Sequence, residues 1–362
     1  MILIKTNTKA CLKALSQLLF ILFLVSCKAV GPDYEGAPEL EVPENWENQL
    51  NNEFIEASAS ETQWWILFND SVLNDLISRA AVDNLDAKIS LARVEAARAN
   101  LGVAEGAQLP ELDGVGDVSE KSSSKSTKGD RDTDIYSSIG LDISWEIDIF
   151  GYVRRSIEAA DAKLERSVER YRDVIVILYA EIANNYVALR TAQERLQYAL
   201  ENVKSQKDTL KIVNARYEAE LVSEVDLLQS EQNLAAAQSN IPLFYARINE
   251  LSNSLAILLG KNPGTLNSEL RQSYGIPHVP EKTVVQVPRE ILRQRPDIRE
   301  AERLLAQETA EVGIATAEEY PRFNLNGTFG YDSKEFNNQF SSDSRYWSFG
   351  PNFRWNIFDG GA

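Results

Sequence analysis

Histidine is almost absent from this chain: His278 is the only one in 362 residues. A multi-histidine zinc site within one chain is therefore excluded, and a histidine-based triad has a single candidate. That candidate sits in Ile276-Pro277-His278-Val279-Pro280, a proline-flanked loop where a structural or exposed role is the ordinary one. Cysteine is nearly absent too, with only Cys11 and Cys27. There is no CxxC and no phosphate-binding loop, and Gly114-Val115-Gly116 lacks the third glycine and the following helix of a dinucleotide loop. Positive charge is scarce: 37 Lys and Arg stand against 54 Asp and Glu, a net charge of −17. That balance argues against nucleic acid or an anionic membrane surface as a partner. The one long apolar run, Leu15–Val25, is too short to span a membrane as a helix. No metal, cofactor or enzymatic activity is expected.

What is present begins at the N-terminus. Lys5, Lys9 and Lys13 precede the apolar run with no acid among them, and Leu24-Val25-Ser26-Cys27 follows it. The pattern is that of an exported lipoprotein, with residues 1–26 as signal peptide and Cys27 as the site of lipid attachment. Lys28 follows, with no Asp to suggest retention in the inner membrane. Removing residues 1–26 takes away Cys11 and three Lys, leaving 34 cations against 54 acids, a net charge of about −20. With Cys27 lipidated, no intramolecular disulfide remains, and stability must come from packing and assembly. Residues 27–63 are acidic, contain Pro32, Pro38 and Pro43, and read as an extended tether.

The chain also contains itself twice. Asn84–Gly116 and Arg295–Gly327 align without a gap at an offset of 211 residues, with Asp86 matching Asp297, Gly102 matching Gly313 and Pro110 matching Pro321. Trp145–Gly151 (WEIDIFG) returns within Phe353–Gly361 (FRWNIFDGG). A repeat this long is a duplicated half-molecule, not a solenoid period. Each copy runs from a helix into a strand hairpin. Repeat 1 covers 64–264, with a hairpin over 112–149 and a long helical pair over 152–260. Repeat 2 covers 265–362, with a helix over 288–319 and a hairpin over 322–358.

The strands alternate with a period of two. Ile139, Leu141, Ile143, Trp145, Ile147 and Ile149 face one way, and Gly140, Asp142, Ser144, Glu146 and Asp148 the other. The second copy sets Trp347, Phe349, Phe353, Trp355 and Ile357 against Ser348, Gly350, Asn352, Arg354 and Asn356. Leu112–Val118 is expected as a short partner strand and Arg322–Tyr331 as a longer one. The tips, Ser119–Asp134 and Asp332–Arg345, are hydrophilic. Such lengths, aromatics and tips suit the wall of an outer-membrane barrel, with Asp142, Glu146 and Asp148 facing the lumen and favouring cations. Four strands cannot close a barrel, and open edges in lipid cost several kcal/mol per unpaired group. Pairing between chains is required: three chains would give twelve strands and two would give eight.

Tyr152–Thr209 contains neither Pro nor Gly, and its apolar residues follow a spacing of three and four. At 1.5 Å per residue this is roughly 85 Å of helix. A second run covers about Leu210–Leu259, with a kink expected at Pro242 and an end at Gly260–Gly264. Helices this long imply a coiled coil or helical barrel.

Several pieces, in order, resemble the outer-membrane factor family, the lipoprotein channels of tripartite efflux pumps. They are Gly31-Pro32-Asp33-Tyr34, Trp64–Asp70 with Leu73-Asn74, and Arg216-Tyr217 with Asp226-Leu227-Leu228. They continue with Leu258-Leu259-Gly260 and Pro263-Gly264, Leu292–Arg299 (LRQRPDIR), and Phe358-Asp359-Gly360-Gly361. The resemblance implies an α+β membrane protein. It implies a homotrimer whose twelve-stranded outer-membrane β-barrel continues into a long periplasmic α-helical barrel. It implies a passive exit duct, with a periplasmic adaptor docked at the helical tip and an inner-membrane transporter driving flux. By the family's pattern the tip is Ala219, Glu220, Leu221, Val222 and Ser223, with Glu220 where the family usually has glycine. A type I protein-secretion duct and a non-conducting coiled-coil lipoprotein are the alternatives. The second copy lacks the long helical pair of the first, roughly 110 residues by analogy. The sequence is therefore expected to be incomplete, and a chain ending at Ala362 is expected to form no sealed tunnel.

Overall fold

A computed structural model describes residues 28–37, 54–56, 63–122, 133–272, 275–278, 283–285 and 288–360. Cys27 and the tip of the first hairpin lie outside these. The elements in chain order are β1 (Phe54–Glu56), a 3-10 turn (Trp64–Phe68), α1 (Ser71–Asp83), α2 (Leu85–Gly106), β2 (Glu111–Ser122) and β3 (Thr133–Ile147). Then come α3 (Tyr152–Glu218), α4 (Glu224–Ser239), α5 (Ile241–Leu258), α6 (Asn267–Leu270), β4 (Thr283–Val285) and α7 (Pro288–Gln294). The chain ends with α8 (Pro296–Glu318), β5 (Arg322–Ser333) and β6 (Arg345–Arg354). No described helix is long and apolar enough to cross a membrane.

The duplication is visible in the elements. β2 and β5 begin and end 211 residues apart, as do the starts of α2 and α8. Each copy closes its helix-to-strand corner in the same way. The Trp145 indole donates to the Gln108 carbonyl at 2.9 Å, and the Trp355 indole to the Glu319 carbonyl at 3.1 Å. An orphan carbonyl past each helix end is thereby satisfied.

Two compact units result, and they do not follow the repeat boundaries. One comprises residues 1–38, 95–166 and 300–362, the other 39–94 and 167–299. Each repeat gives its strands and the adjoining helix ends to the first unit, so space is divided across the repeats. The chain passes between units within α2, α3 and α8.

In the first unit, β2, β3, β5 and β6 form one antiparallel sheet in that order. β2 is not short. It runs twelve residues, into the stretch expected as loop, because every residue from Glu111 to Ser122 finds a partner on β3. At the junction of sheet and helices, Phe150 stacks on Tyr320 at 4.7 Å and the Arg322 guanidinium lies 3.6 Å over the Tyr152 ring.

The same unit holds residues 28–37 against its helices. Arg155 is 3% exposed and reaches four partners. It donates to the Val30 and Gly31 carbonyls at 3.0 and 3.2 Å, to Asp33 at 2.6 Å and to Glu158 at 2.7 Å. A Cβ on Gly31 would lie 2.6 Å from the Gly313 Cα, and one on Gly313 would lie 2.7 Å from the Arg155 side chain. The paired glycines are what let the strap approach α8. Arg155 and Lys28 hold the Asp33 carboxyl below its ordinary value. A depressed carboxyl contributes stability above its unfolded value of about 3.9 and loses it as pH falls through the folded value. The Asp33 contribution to docking is therefore expected to be present in full at neutral pH and to be lost in acid. Arg155→Ala should accelerate exchange of the Val30 amide, which donates to the Phe150 carbonyl at 3.0 Å, by about tenfold or more at pH 7. Unchanged exchange would show that the strap is held by other means.

In the second unit, α1 buries Leu73, Leu76, Ile77 and Ala80, the i, i+3, i+4, i+7 set of one helical face. They pack with Leu178, Ile182, Tyr186 and Leu189 of α3 and with Leu251 and Leu255 of α5. Asp70 joins these layers. One oxygen caps α1 through the Val72 and Leu73 amides at 2.9 and 3.0 Å, and the other accepts from the Tyr186 hydroxyl at 2.8 Å. Burial pushes the Tyr186 phenol up to about 12. Arg190 is fully buried, its guanidinium 4.8 Å from the Tyr186 ring centroid, and it donates to the Gln272 carbonyl at 2.7 Å.

Three sequence expectations are revised here. The second helical run begins at Glu224, not near Leu210, because α3 continues to Glu218. Its interruption beside Pro242 falls at Asn240, and Pro242 stands in the first turn of α5. The helix expected over 288–319 likewise divides at Arg295, because the residue before Pro296 is pushed out of helical geometry. The tether contains β1, paired in parallel with β4, a contact between distant segments that local pattern does not reveal.

Candidate functional site

The sheet is inside-out for a water-soluble protein. On β3, Ile139, Leu141, Ile143, Trp145 and Ile147 are exposed, while Ser138, Gly140, Asp142 and Glu146 are half-buried. Strand register carries each face across the sheet. On the apolar face Leu112, Ile143, Gly327 and Phe349 make one rung, and Gly114, Leu141, Phe329 and Trp347 the next. Trp347 and Phe353 are 72% and 66% exposed, an arrangement that water penalises and lipid does not. The opposite face is a polar wall. Asp113, Asp142, Thr328 and Ser348 share one rung, with the two hydroxyls 3.1 Å apart, and Glu146, Asn324 and Asn352 share another.

Asp142 and Glu146 therefore lie together on the polar face, as the alternation predicts. Asp148 does not belong with them. It lies one residue beyond β3, and its carboxylate accepts from the Gly151 amide at 2.8 Å and the Arg154 amide at 3.0 Å, with the Arg154 side chain at 3.1 Å. It caps the start of α3, where free N–H groups and the helix dipole favour an acid. The sequence reading missed Asp113, which stands directly opposite Asp142. The alternation of Glu111, Asp113 and Asp117 with Leu112, Gly114 and Val118 was the available signal. Like charges in facing positions oppose pairing, so this rung spends stability on a local negative field.

Gly140 and Gly330 face each other on the polar side, and the Tyr346 hydroxyl lies 3.1 and 2.8 Å from where their Cβ atoms would be. The notch admits that hydroxyl close to the wall.

The second feature is the turn after α3. Ala219–Ser223 link α3 to α4. Glu220 has φ +60°, in the left-handed region that glycine prefers. Its amide donates to the Tyr217 carbonyl at 2.9 Å and that of Leu221 to the Arg216 carbonyl at 2.8 Å, the paired bonds of a Schellman ending. Ser223 then opens α4 with a capping box, accepting from the Asp226 amide while Asp226 accepts from the Ser223 amide. The Ser223 hydroxyl and amide hold the Asp226 carboxyl below its ordinary value. Leu221 and Val225 stand exposed beside the turn. Glu220→Gly should relieve the left-handed penalty and slow local opening of the turn by about 1 kcal/mol. Faster amide exchange at Leu221 in that variant would contradict the assignment of strain.

The chain matches the outer membrane efflux protein family over residues 76–261 and 287–362. It belongs to that family. Nodulation protein T of Rhizobium leguminosarum bv. viciae is 31% identical over 342 residues, covering 94% of this chain and 69% of that protein. The cation efflux system protein CusC of Escherichia coli K12 is 28% identical over 346 residues, covering 94% and 73%. Among solved structures, the outer-membrane channel OprN superposes with a TM-score of 0.82 at 32% identity, over 90% of this chain and 73% of that one. As an outer membrane efflux protein, the chain has its place in the Gram-negative outer membrane. The family's sequence marks now have structural roles here. Gly31 and Asp33 hold the strap, Asp70 caps α1, and Arg295 makes a two-bond pair with Asp297 at the start of α8 at 3.0 and 2.6 Å. Gly260, at φ +64°, lets its turn lie against the Asp83 carbonyl.

Proposed function

We infer that this protein is the exit channel of a tripartite efflux system, a passive duct through the outer membrane. The observation that carries the reading is the sheet itself, with one face exposed, apolar and aromatic and the other polar and acidic, in a member of the outer membrane efflux protein family. On this reading three copies pool their four strands each into a twelve-stranded barrel, because an open edge cannot persist in lipid. The long helices contribute to the wall of the periplasmic tunnel. Ala219–Ser223 receive a periplasmic adaptor, through which an inner-membrane transporter delivers cargo. Cys27 carries a lipid that supplements the barrel as an anchor. No catalytic step belongs to the chain. Asp113, Asp142 and Glu146 select by field alone. The test is reconstitution of the purified protein in planar bilayers. Stepwise unitary currents are expected, and a preparation of folded oligomers that never conducts would defeat the reading.

A further inference from the structure

Charge on the apolar face is confined to its hairpin-tip end. Among the described strand residues of that face only Glu120 and Arg345 are ionised, Glu120 on β2 and Arg345 on β6 at the opposite edge of the sheet. Arg345 is exposed and makes no ion pair among the described residues. It stands directly opposite Tyr331, toward the end of the sheet away from the helices. A guanidinium bordering an apolar surface suits an anion that carries an apolar body.

The surface beside it is grooved, because Gly114, Gly116 and Gly327 lie on the apolar face among larger neighbours. One groove of about 550 Å³ runs over Gly114 and Gly116, between Ile139, Leu141 and Tyr331. A second, of about 690 Å³, runs over Gly327, past Arg345, Trp347 and Phe349. Leu141 and Phe329 line both. From the rung of Gly116, Ile139, Tyr331 and Arg345 to that of Leu112, Ile143, Gly327 and Phe349 is four residues of strand, about 14 Å. One leaflet offers about 15 Å of hydrocarbon. The grooved stretch thus matches a single acyl layer on the side of the hairpin tips.

The loop between β5 and β6 folds over the same surface. Gln339 is 5% exposed. Its Nε2 donates to the Tyr331 carbonyl at 3.0 Å, and its Oε1 accepts from the hydroxyl of Ser137, a residue of the apolar face. A buried amide satisfied at both ends pins the loop to this side of the wall. Phe340 is thereby set edge-on to the Tyr331 ring at 5.6 Å, at the margin of the first groove. Phe340 and Phe336 nonetheless stay largely exposed, which water penalises and acyl chains do not.

We propose that Arg345, the two grooves and Phe340 form a seat for one molecule of lipid A, the phosphorylated glycolipid of the outer leaflet, with a phosphate on the guanidinium and an acyl chain along the grooves. The inference rests on the reading of the apolar face as lipid-facing and names the lipid that this end of it holds. The hydrophilic hairpin tips mark the outside end, and so the leaflet. The fork of an arginine gives a phosphate two parallel bonds.

Native mass spectrometry of the full-length protein in detergent, with bisphosphorylated lipid A or phosphatidylglycerol added, reads the affinity. Lipid A should be retained in preference to phosphatidylglycerol. Arg345→Gln should weaken lipid A binding by about tenfold. Gly114→Leu should weaken it as well by filling the groove, and it meets no obstacle in the fold, since nothing lies within 4 Å of an added Cβ. Arg354→Gln removes the same charge from the polar face and should leave binding unchanged. Unchanged affinity in either Arg345→Gln or Gly114→Leu, or equal affinity for phosphatidylglycerol, would overturn the seat and leave the channel reading intact. Unsubstituted protein that enters neither outer membranes nor planar bilayers would overturn the lipid-facing reading on which the seat rests.

Discussion

Gly330→Val is expected to remove the folded channel from the outer membrane. The Cβ alone would stand 2.6 Å from the Ile139 carbonyl oxygen, 2.8 Å from the Tyr346 hydroxyl and 2.9 Å from the Gly140 Cα. Two of these three are backbone in a paired ladder, so they cannot move without breaking pairing between β3 and β5. Overpacking in a closed core costs about 1–3 kcal/mol, and a clash with backbone belongs at or above the upper end. Among the described residues, this pairing alone ties the two hairpins of a chain into one sheet. Its loss leaves two separate hairpins, each marginal alone. The measurement is the amount of heat-resistant, protease-protected protein in outer-membrane fractions. Gly350→Ala is the control, since nothing lies within 4 Å of the added methyl. Equal recovery of both variants would refute the steric argument.

The second large effect concerns permeation. Asp113→Asn with Asp142→Asn should lower the preference for cations over anions by roughly tenfold in 0.1 M salt. A unit charge about 8 Å away in water contributes about 0.5 kcal/mol. Six such carboxylates in a three-copy ring sum to about 3 kcal/mol, and screening over a Debye length of about 10 Å brings this to between 1 and 2. The readout is the reversal potential under a salt gradient, which should move toward zero. Asp148→Asn should leave that potential unchanged, because its carboxylate caps α3 and pairs with Arg154. It should instead lower thermal stability by about 1 kcal/mol. An unchanged potential in the double variant would place the selectivity elsewhere.

The division between the three acids shows where sequence reading holds and where it stops. Alternation places Asp142 and Glu146 correctly because period two is a property of one strand. It cannot tell that β3 ends at Ile147, since Ile149 continues the pattern and only the amides of Gly151 and Arg154 reveal a helix start. Asp113 escaped notice because its meaning lies in the residue opposite, and register is a relation between strands. The strap shows the same limit. Gly31, Asp33 and Gly313 could each be noted as family marks or repeat positions, but Arg155 joins them across more than a hundred residues of chain. The long helices were legible because the absence of Pro and Gly over Tyr152–Thr209 is a local fact, and so were the hairpins. The breaks at Asn240 and Arg295 were half-legible: a proline stood beside each, and its effect falls on the preceding turn.

The unbroken α3 also constrains how such a chain can change over generations. From Leu189, buried in the second unit, to Glu218, where the tip turn begins, no loop intervenes that could absorb an added residue. One insertion there would swing Ala219–Ser223 about 100° around the helix axis relative to the buried stripe, and two would swing them about 200°. Insertions of seven or eleven nearly restore the phase, at about 20° either way. Descendants can therefore lengthen the hairpin tips freely, but this stretch should grow or shrink only in quanta of seven, eleven or eighteen residues.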